Sequence, residues 1–162
     1  MKITLINLYP ELSPANYFAF NHGLGYLSAI LKKEDHQVRL LSLCSSGDEN
    51  AREIEKIDCE MIFIYLSTHQ YPLFLSLLPS LKKRKVPLFI GGPHPTVQPE
   101  EMLKLEGITG LCIGEGEETA RKIAKGKGKN LRNIPNLWYL SLIHISEPTR
   151  PLYISYAVFC LK

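Results

Sequence analysis

Cysteine is scarce in this chain and scattered. Among 162 residues only Cys44, Cys59, Cys112 and Cys160 carry a thiol. They form no CxxC pair and no disulfide framework, which argues against a zinc module or a secreted disulfide scaffold and fits a reducing cytoplasm. Long apolar runs are missing too. None approaches the ~18 residues that a membrane span needs. The opening MKITLINLYP has one Lys and a short apolar run, so it reads as a first strand rather than a signal peptide. There is little charge imbalance: 19 basic against 16 acidic residues, a net of +3. That is too weak to argue for nucleic acid or an anionic membrane surface as partner. Finally, neither GxxxxGK[ST] nor a full GxGxxG occurs, which disfavours a nucleotide-binding enzyme domain.

What the chain does have is five short apolar runs separated by amphipathic stretches. Strands are expected at Lys2–Leu8, Gln37–Leu43, Glu60–Leu66, Val86–Ile90 and Gly110–Ile113, the third apolar enough to be buried on both faces. Helices are expected at Leu24–Lys33, with Leu24, Leu27, Ile30 and Leu31 on one face, and at Asp48–Ile57 behind the SGDEN cluster. Further helices are expected at Leu73–Lys83, Glu100–Glu106 and Glu117–Lys125. The basic cluster Lys82–Lys85 reads as a solvated helix end, and KGKGKN as a flexible connector. Strand and helix in alternation imply an α/β, doubly wound, five-stranded parallel sheet covered on both faces. Such sheets bind ligands beyond the carboxyl ends of their strands.

Four loops at that edge carry more than turn residues. They are YPELSPANYFAFNHGLGYL after the first strand, Ser67-Thr68-His69-Gln70 after the third, GGPHPTVQP (Gly91–Pro99) after the fourth and GEGEE (Gly114–Glu118) after the fifth. Glycine there can simply turn the chain, or can let a ligand approach because no Cβ stands in the way. Ser67 and Thr68 can cap the next segment. Glu117 and Glu118 suit the first turn of a helix. His94, between two prolines, has no second His or Cys near enough in sequence to make a zinc set.

GLGYLSAIL, IFIYLST, PLFIGGPHPTVQPEE, LCIGEGEET and NIPNLWY, taken together, resemble the cobalamin-binding amino-terminal domain of cobalamin-dependent radical S-adenosylmethionine enzymes. The resemblance covers residues 1–139 and implies a flavodoxin-like domain with cobalamin on the carboxyl edge of its sheet. It implies cofactor-binding roles for Gly23 and Gly25 at the entry to the first helix, and for Ser67 and Thr68 near the nucleotide tail. It also implies them for Gly91, Gly92, Pro93 and His94, and for Gly114, Glu115 and Gly116 on the corrin side.

Two departures stand out. Related cobalamin domains carry DxHxxG, whose His ligates cobalt. Here Phe20 replaces the Asp before His22, so the carboxylate that would orient the ring is gone. His22 is therefore expected to be a loop or helix-cap residue rather than a metal ligand, and no metal ligand is assigned. The second departure is the absence of the CxxxCxxC motif that holds the family's iron–sulfur cluster. The expected partner is thus a carboxyl-terminal radical S-adenosylmethionine domain of the same chain, which would bind the cluster and S-adenosylmethionine.

Residues 140–162 fit none of this. LSLIHISEPTRPLYISYAVFCL resembles the translation of a sequencing adapter, so an adapter-derived tail is expected from about Leu140. Arg150, Lys162 and Glu147 lie there, leaving 17 basic and 15 acidic residues in 1–139. The whole is read as the cobalamin-binding domain of a longer enzyme, methyltransferase-type, inert without its catalytic domain. The alternative is a non-enzymatic flavodoxin-like ligand-binding or signalling module. A receiver domain would need a phosphoacceptor Asp where Ser67 stands and an acidic pair near Glu11.

Overall fold

The structure is a computed structural model, and it describes residues 1–10, 21–44 and 47–139. Glu11, Phe20, most of the first strand-end loop and the tail 140–162 lie outside the described residues. The strands are β1 Lys2–Tyr9, β2 Gln37–Cys44, β3 Met61–Tyr65, β4 Leu88–Gly91, β5 Gly110–Cys112 and β6 Leu137–Trp138. The helices are α1 His22–Lys33, α2 Gly47–Glu55, α3 Tyr71–Lys83, α4 Pro93–Val97, α5 Pro99–Leu103 and α6 Glu117–Lys125, with a 3-10 turn at Thr68–Gln70.

The sheet order is β2-β1-β3-β4-β5-β6. The first five strands are parallel, as expected, but a sixth strand corrects the five-stranded reading. Leu137 and Trp138 pair antiparallel with Cys112 and Leu111. Two residues are too few to leave a pattern in sequence, and only their partner makes them a strand.

Alternation along the strands divides the interior in two. Ile6, Leu8, Ile62, Ile64, Leu66, Leu88, Ile90 and Leu111 face one way, packed by Ile54 of α2 and by Phe74, Leu77, Leu78 and Leu81 of α3. Ile3, Leu5, Met61, Phe63 and Phe89 face the other way, covered by Leu24 and Leu31 of α1 and by Ala120, Ile123 and Ala124 of α6. α1 is capped by Asn21, whose side chain accepts the amide of Leu24 at 3.0 Å. Among the described residues no helix is long and apolar enough to cross a membrane.

Three local readings change. GGPHPTVQP is not an irregular loop: Pro93 opens α4 and Pro99 opens α5, first-turn positions where a missing N–H costs nothing. In the basic cluster, Arg84 is not simply solvated. It donates to the carbonyl oxygens of Glu55 (2.8 Å) and Ile57 at the end of α2. KGKGKN is an ordered helix end, where the amides of Lys127 and Gly128 donate to Ala124 and Ile123, both at 2.9 Å.

Candidate functional site

From β1 the chain moves to one side to make β2 and to the other side to make β3, so the topology reverses between β1 and β3. The carboxyl ends of strands flanking such a switch point leave a crevice. It is present here as an open cleft of about 400 Å³, lined by Asn7, Tyr9, Asn21, His22, Tyr65 and Gln70 among others. Asn7 is the polar interruption in an apolar strand. It is 4% exposed, and its amide donates to the Tyr9 hydroxyl at 2.6 Å. Gln70 spans the crevice: its amide nitrogen donates to the Leu8 carbonyl (2.6 Å), and its oxygen accepts the Ser67 amide (2.7 Å).

Next to the cleft, a narrower cavity of about 180 Å³ enters between the sheet and helices α1 and α6. Phe63 and Phe89, stacked with centroids 5.5 Å apart, belong to its sheet wall. Leu24, Leu27, Ala120 and Ile123 form the helix wall, and Gly91, Gly92, Gly114 and Gly116 border it at the carboxyl edge. Cys112 also lines it, and burial pushes its thiol above the usual range. The cavity exists because small residues stand where the other face of the sheet carries large ones. Ala120 and Gly91 cannot reach across.

Each sequence-predicted residue can now be placed. Gly23, Gly91, Gly92, Gly114, Glu115 and Gly116 are brought together around the cavity. Gly25 lies one turn into α1. Ser67 and Thr68 begin the 3-10 turn behind β3. Pro93 is exposed at the start of α4, whereas His94 is buried beneath it. His22 is the first residue of α1, exposed, on the wall of the open cleft. No group of three or more His, Cys, Asp or Glu side chains among the described residues could hold a metal ion.

The two adjacent glycines differ in why they are glycine. A Cβ on Gly91 would make an ordinary 3.5 Å contact with Cys112, so Gly91 leaves usable space. Gly92 has φ +109°, and a Cβ there would meet the Leu66 carbonyl oxygen at 2.7 Å. Its missing side chain makes room for the Leu66 backbone just past β3, at the border of the cavity. The amides of Leu66 and His94 explain the crowding: Leu66 donates to Gly91 (2.8 Å) and His94 donates to Leu66 (3.1 Å).

Sequence reasoning passed over Asn7, Tyr9 and Tyr65, and also Thr96 and Asn136. The Thr96 hydroxyl donates to the Gly92 carbonyl (2.9 Å) and accepts the Gly114 amide (3.1 Å), locking two glycine loops together. Asn136 donates to the Glu115 carbonyl (3.3 Å), so the segment before β6 supports the GEGE loop. Only Asn7 had a signal in sequence, as a buried-strand polar residue at a carboxyl end.

The B12-binding domain model matches residues 13–124. This chain belongs to the B12-binding domain family. Two solved structures share its fold. One is the cobalamin-dependent S-adenosylmethionine radical enzyme OxsB with aqua-cobalamin and S-adenosylmethionine bound (TM-score 0.69, 21% identity, 88% of this chain and 21% of that one). The other is the radical S-adenosylmethionine methyltransferase TsrM from Kitasatospora setae, with tryptophan substrate and a SAM analogue bound (TM-score 0.71, 16% identity, 87% and 29%). The B12-binding domain described here thus spans between a fifth and three tenths of those chains. Comparison with curated protein sequences finds no match.

Proposed function

We propose that this B12-binding domain holds one cobalamin at the carboxyl edge of its sheet, with the nucleotide tail in the cavity between β3–β4 and α1–α6. The observation that carries the reading is the pairing of spaces. A narrow apolar cavity floored by Phe63 and Phe89 suits a flat bicyclic heterocycle, and it opens beside a wide polar cleft that suits the amide-fringed corrin. Cobalamin supplies the reactive cobalt; this chain's residues bind and orient it. In its parent enzyme the domain would serve a cobalamin-dependent radical S-adenosylmethionine reaction, methyl transfer to an unactivated carbon, with the cluster and S-adenosylmethionine held by a following domain. Retention of hydroxocobalamin through gel filtration, read by its visible absorbance, tests the binding. A folded protein that emerges colourless refutes it.

Cobalt is proposed to take no histidine from this chain. His22 lines the cleft, and in sequence Phe20 stands where the DxHxxG motif has its Asp. Electron paramagnetic resonance of the cobalt(II) form decides. Nitrogen splitting that disappears in His22→Ala refutes the proposal, and its absence in both proteins supports it.

Residues 140–162 are proposed to be adapter-derived, so that the domain is residues 1–139 of a longer enzyme. Re-reading the source DNA beyond codon 139 tests this. Coding sequence that continues into a CxxxCxxC motif supports both statements, and recovery of codons 140–162 from unamplified genomic DNA refutes the first.

A further inference from the structure

We infer that His94 is a positioning residue whose imidazole makes the Thr68 hydroxyl a hydrogen-bond donor to the corrinoid. The inference rests on the cobalamin reading and adds the polarity of one contact. His94 is 4% exposed, and its Nδ1 lies 3.3 Å from Thr68 Oγ1. Its Nε2 is buried with no hydrogen-bond partner among the described residues. The ring packs on Tyr71 with centroids 4.2 Å apart, and the Tyr71 hydroxyl donates to Glu101 Oε1 at 3.1 Å. The backbone holds the ring in place: the His94 amide donates to Leu66 (3.1 Å), and its carbonyl accepts from Gln98 (2.9 Å).

A neutral imidazole has one N–H to place. Placed on Nε2, it would be a buried donor with no acceptor, and Nδ1 would take the only hydrogen that Thr68 has. Placed on Nδ1, it donates to Thr68 Oγ1, and only a lone pair is left unused inside. Orphaned buried N–H groups are the rarer of the two in proteins. The second arrangement therefore holds. It leaves the Thr68 hydrogen without a partner among the described residues, on an exposed side chain at the carboxyl edge. Its complement is an oxygen acceptor. Cobalamin offers two, the carbonyls of the corrin amides and the phosphate of the nucleotide tail. His94 thus acts through Thr68 and from beneath it, rather than touching the ligand as the sequence pattern implied.

The full chain tests this in two arms. In the first, two-bond 1H–15N correlation spectra are taken without cobalamin at a pH of about 8, above the usual histidine range. The His94 ring, assigned by its absence in His94→Leu, is expected to show the Nδ1–H pattern. An Nε2–H pattern overturns the inference. In the second arm, Thr68→Val is expected to weaken cobalamin binding roughly 3- to 10-fold, the scale of one lost neutral hydrogen bond, in a protein still folded by circular dichroism. Thr68→Ser restores it, and so does His94→Asn where His94→Leu does not, because Asn keeps a donor near the Nδ1 position. In the His94→Leu background, where the hydroxyl is no longer held, Thr68→Val should cost less than in the wild type, which a purely packing role would not produce. Equal losses for cobalamin and cobinamide assign the acceptor to a corrin amide; loss for cobalamin alone assigns it to the tail. Undiminished binding by Thr68→Val overturns the inference and leaves the cobalamin reading standing. A folded wild type that binds no cobalamin overturns both.

Discussion

The two faces of this sheet are made from the same strands and do different things. At the carboxyl end of the α2–α3 face stand Leu8, Ile64, Leu66, Ile90 and Leu111, which with Phe74 and Leu78 of α3 belong to one filled aliphatic core. In the same rows on the α1–α6 face stand Asn7, Tyr9, Tyr65, Gly91 and Cys112, and there the packing gives way to a cavity and a cleft. A strand puts successive side chains on opposite faces. A single strand such as IFIYL can therefore close one side and open the other. At the carboxyl edge the first face is packed and the second leaves open space.

The sharpest way to break the contrast is one substitution on each face. Phe74→Ala empties a fully buried site, 0% exposed, and should cost about 3–5 kcal/mol in denaturant unfolding. Where the protein remains folded, its cobalamin affinity should be unchanged. Gly91→Leu should do the reverse. Its Cβ has room, so stability should move by less than about 1.5 kcal/mol, while cobalamin retention on gel filtration should be lost. If Gly91→Leu binds normally, the cavity is not the tail site.

Gly92→Ala sharpens the same comparison at the neighbouring residue. With φ +109° and the Leu66 carbonyl 2.7 Å from the new Cβ, it should lose about 1–3 kcal/mol in thermal or denaturant melts. Gly91→Ala should lose little. Equal stability of the two alanine variants would show that the Leu66 backbone does not set the glycine requirement.

Thr96→Val removes the hydroxyl between the Gly92 carbonyl and the Gly114 amide. Two hydrogen bonds at an exposed edge should be worth about 1 kcal/mol of stability, and cobalamin affinity should fall roughly 5-fold as the loops loosen. Thr96→Ser should recover both in calorimetry.

The smallest effect concerns pH. Arg121 holds the Glu118 carboxyl down at about 2, first by their hydrogen bonds, and also reaches Glu34 just beyond α1 at 3.5 Å. A depressed carboxyl stabilises the fold above its ordinary value of 4.5, and that contribution is lost as pH falls from 4.5 towards 2. Both groups are exposed, so salt should weaken it. Melting temperatures of wild type and Glu118→Gln across this window should converge at the acid end; parallel curves would show that the pair contributes nothing.

The sequence by itself determined the parallel α/β layout and pointed to the sheet edge where the candidate site lies. Five apolar runs and the helices between them are local signals, and Glu117–Lys125 was legible to the residue because acidic residues open it and lysines close it. Glycine-rich strand ends marked the edge for the same reason. What only the tertiary structure decided depends on partners distant in the chain. β6 exists because Leu137 and Trp138 meet β5. Gly92 is glycine because the Leu66 carbonyl oxygen, just past β3, lies 2.7 Å from where its Cβ would stand. Arg84 finds the end of α2, and the prolines of PHPTV, read from sequence as part of a loop, fall in the first turn of a helix, which needs no amide. His94 is the extreme case. From sequence it was a loop residue at the ligand's edge. Folding buries it against Tyr71, with the Thr68 hydroxyl 3.3 Å from its Nδ1. A periodic pattern records which face a residue prefers, but the direction of a hydrogen bond is fixed only once both ends are in place.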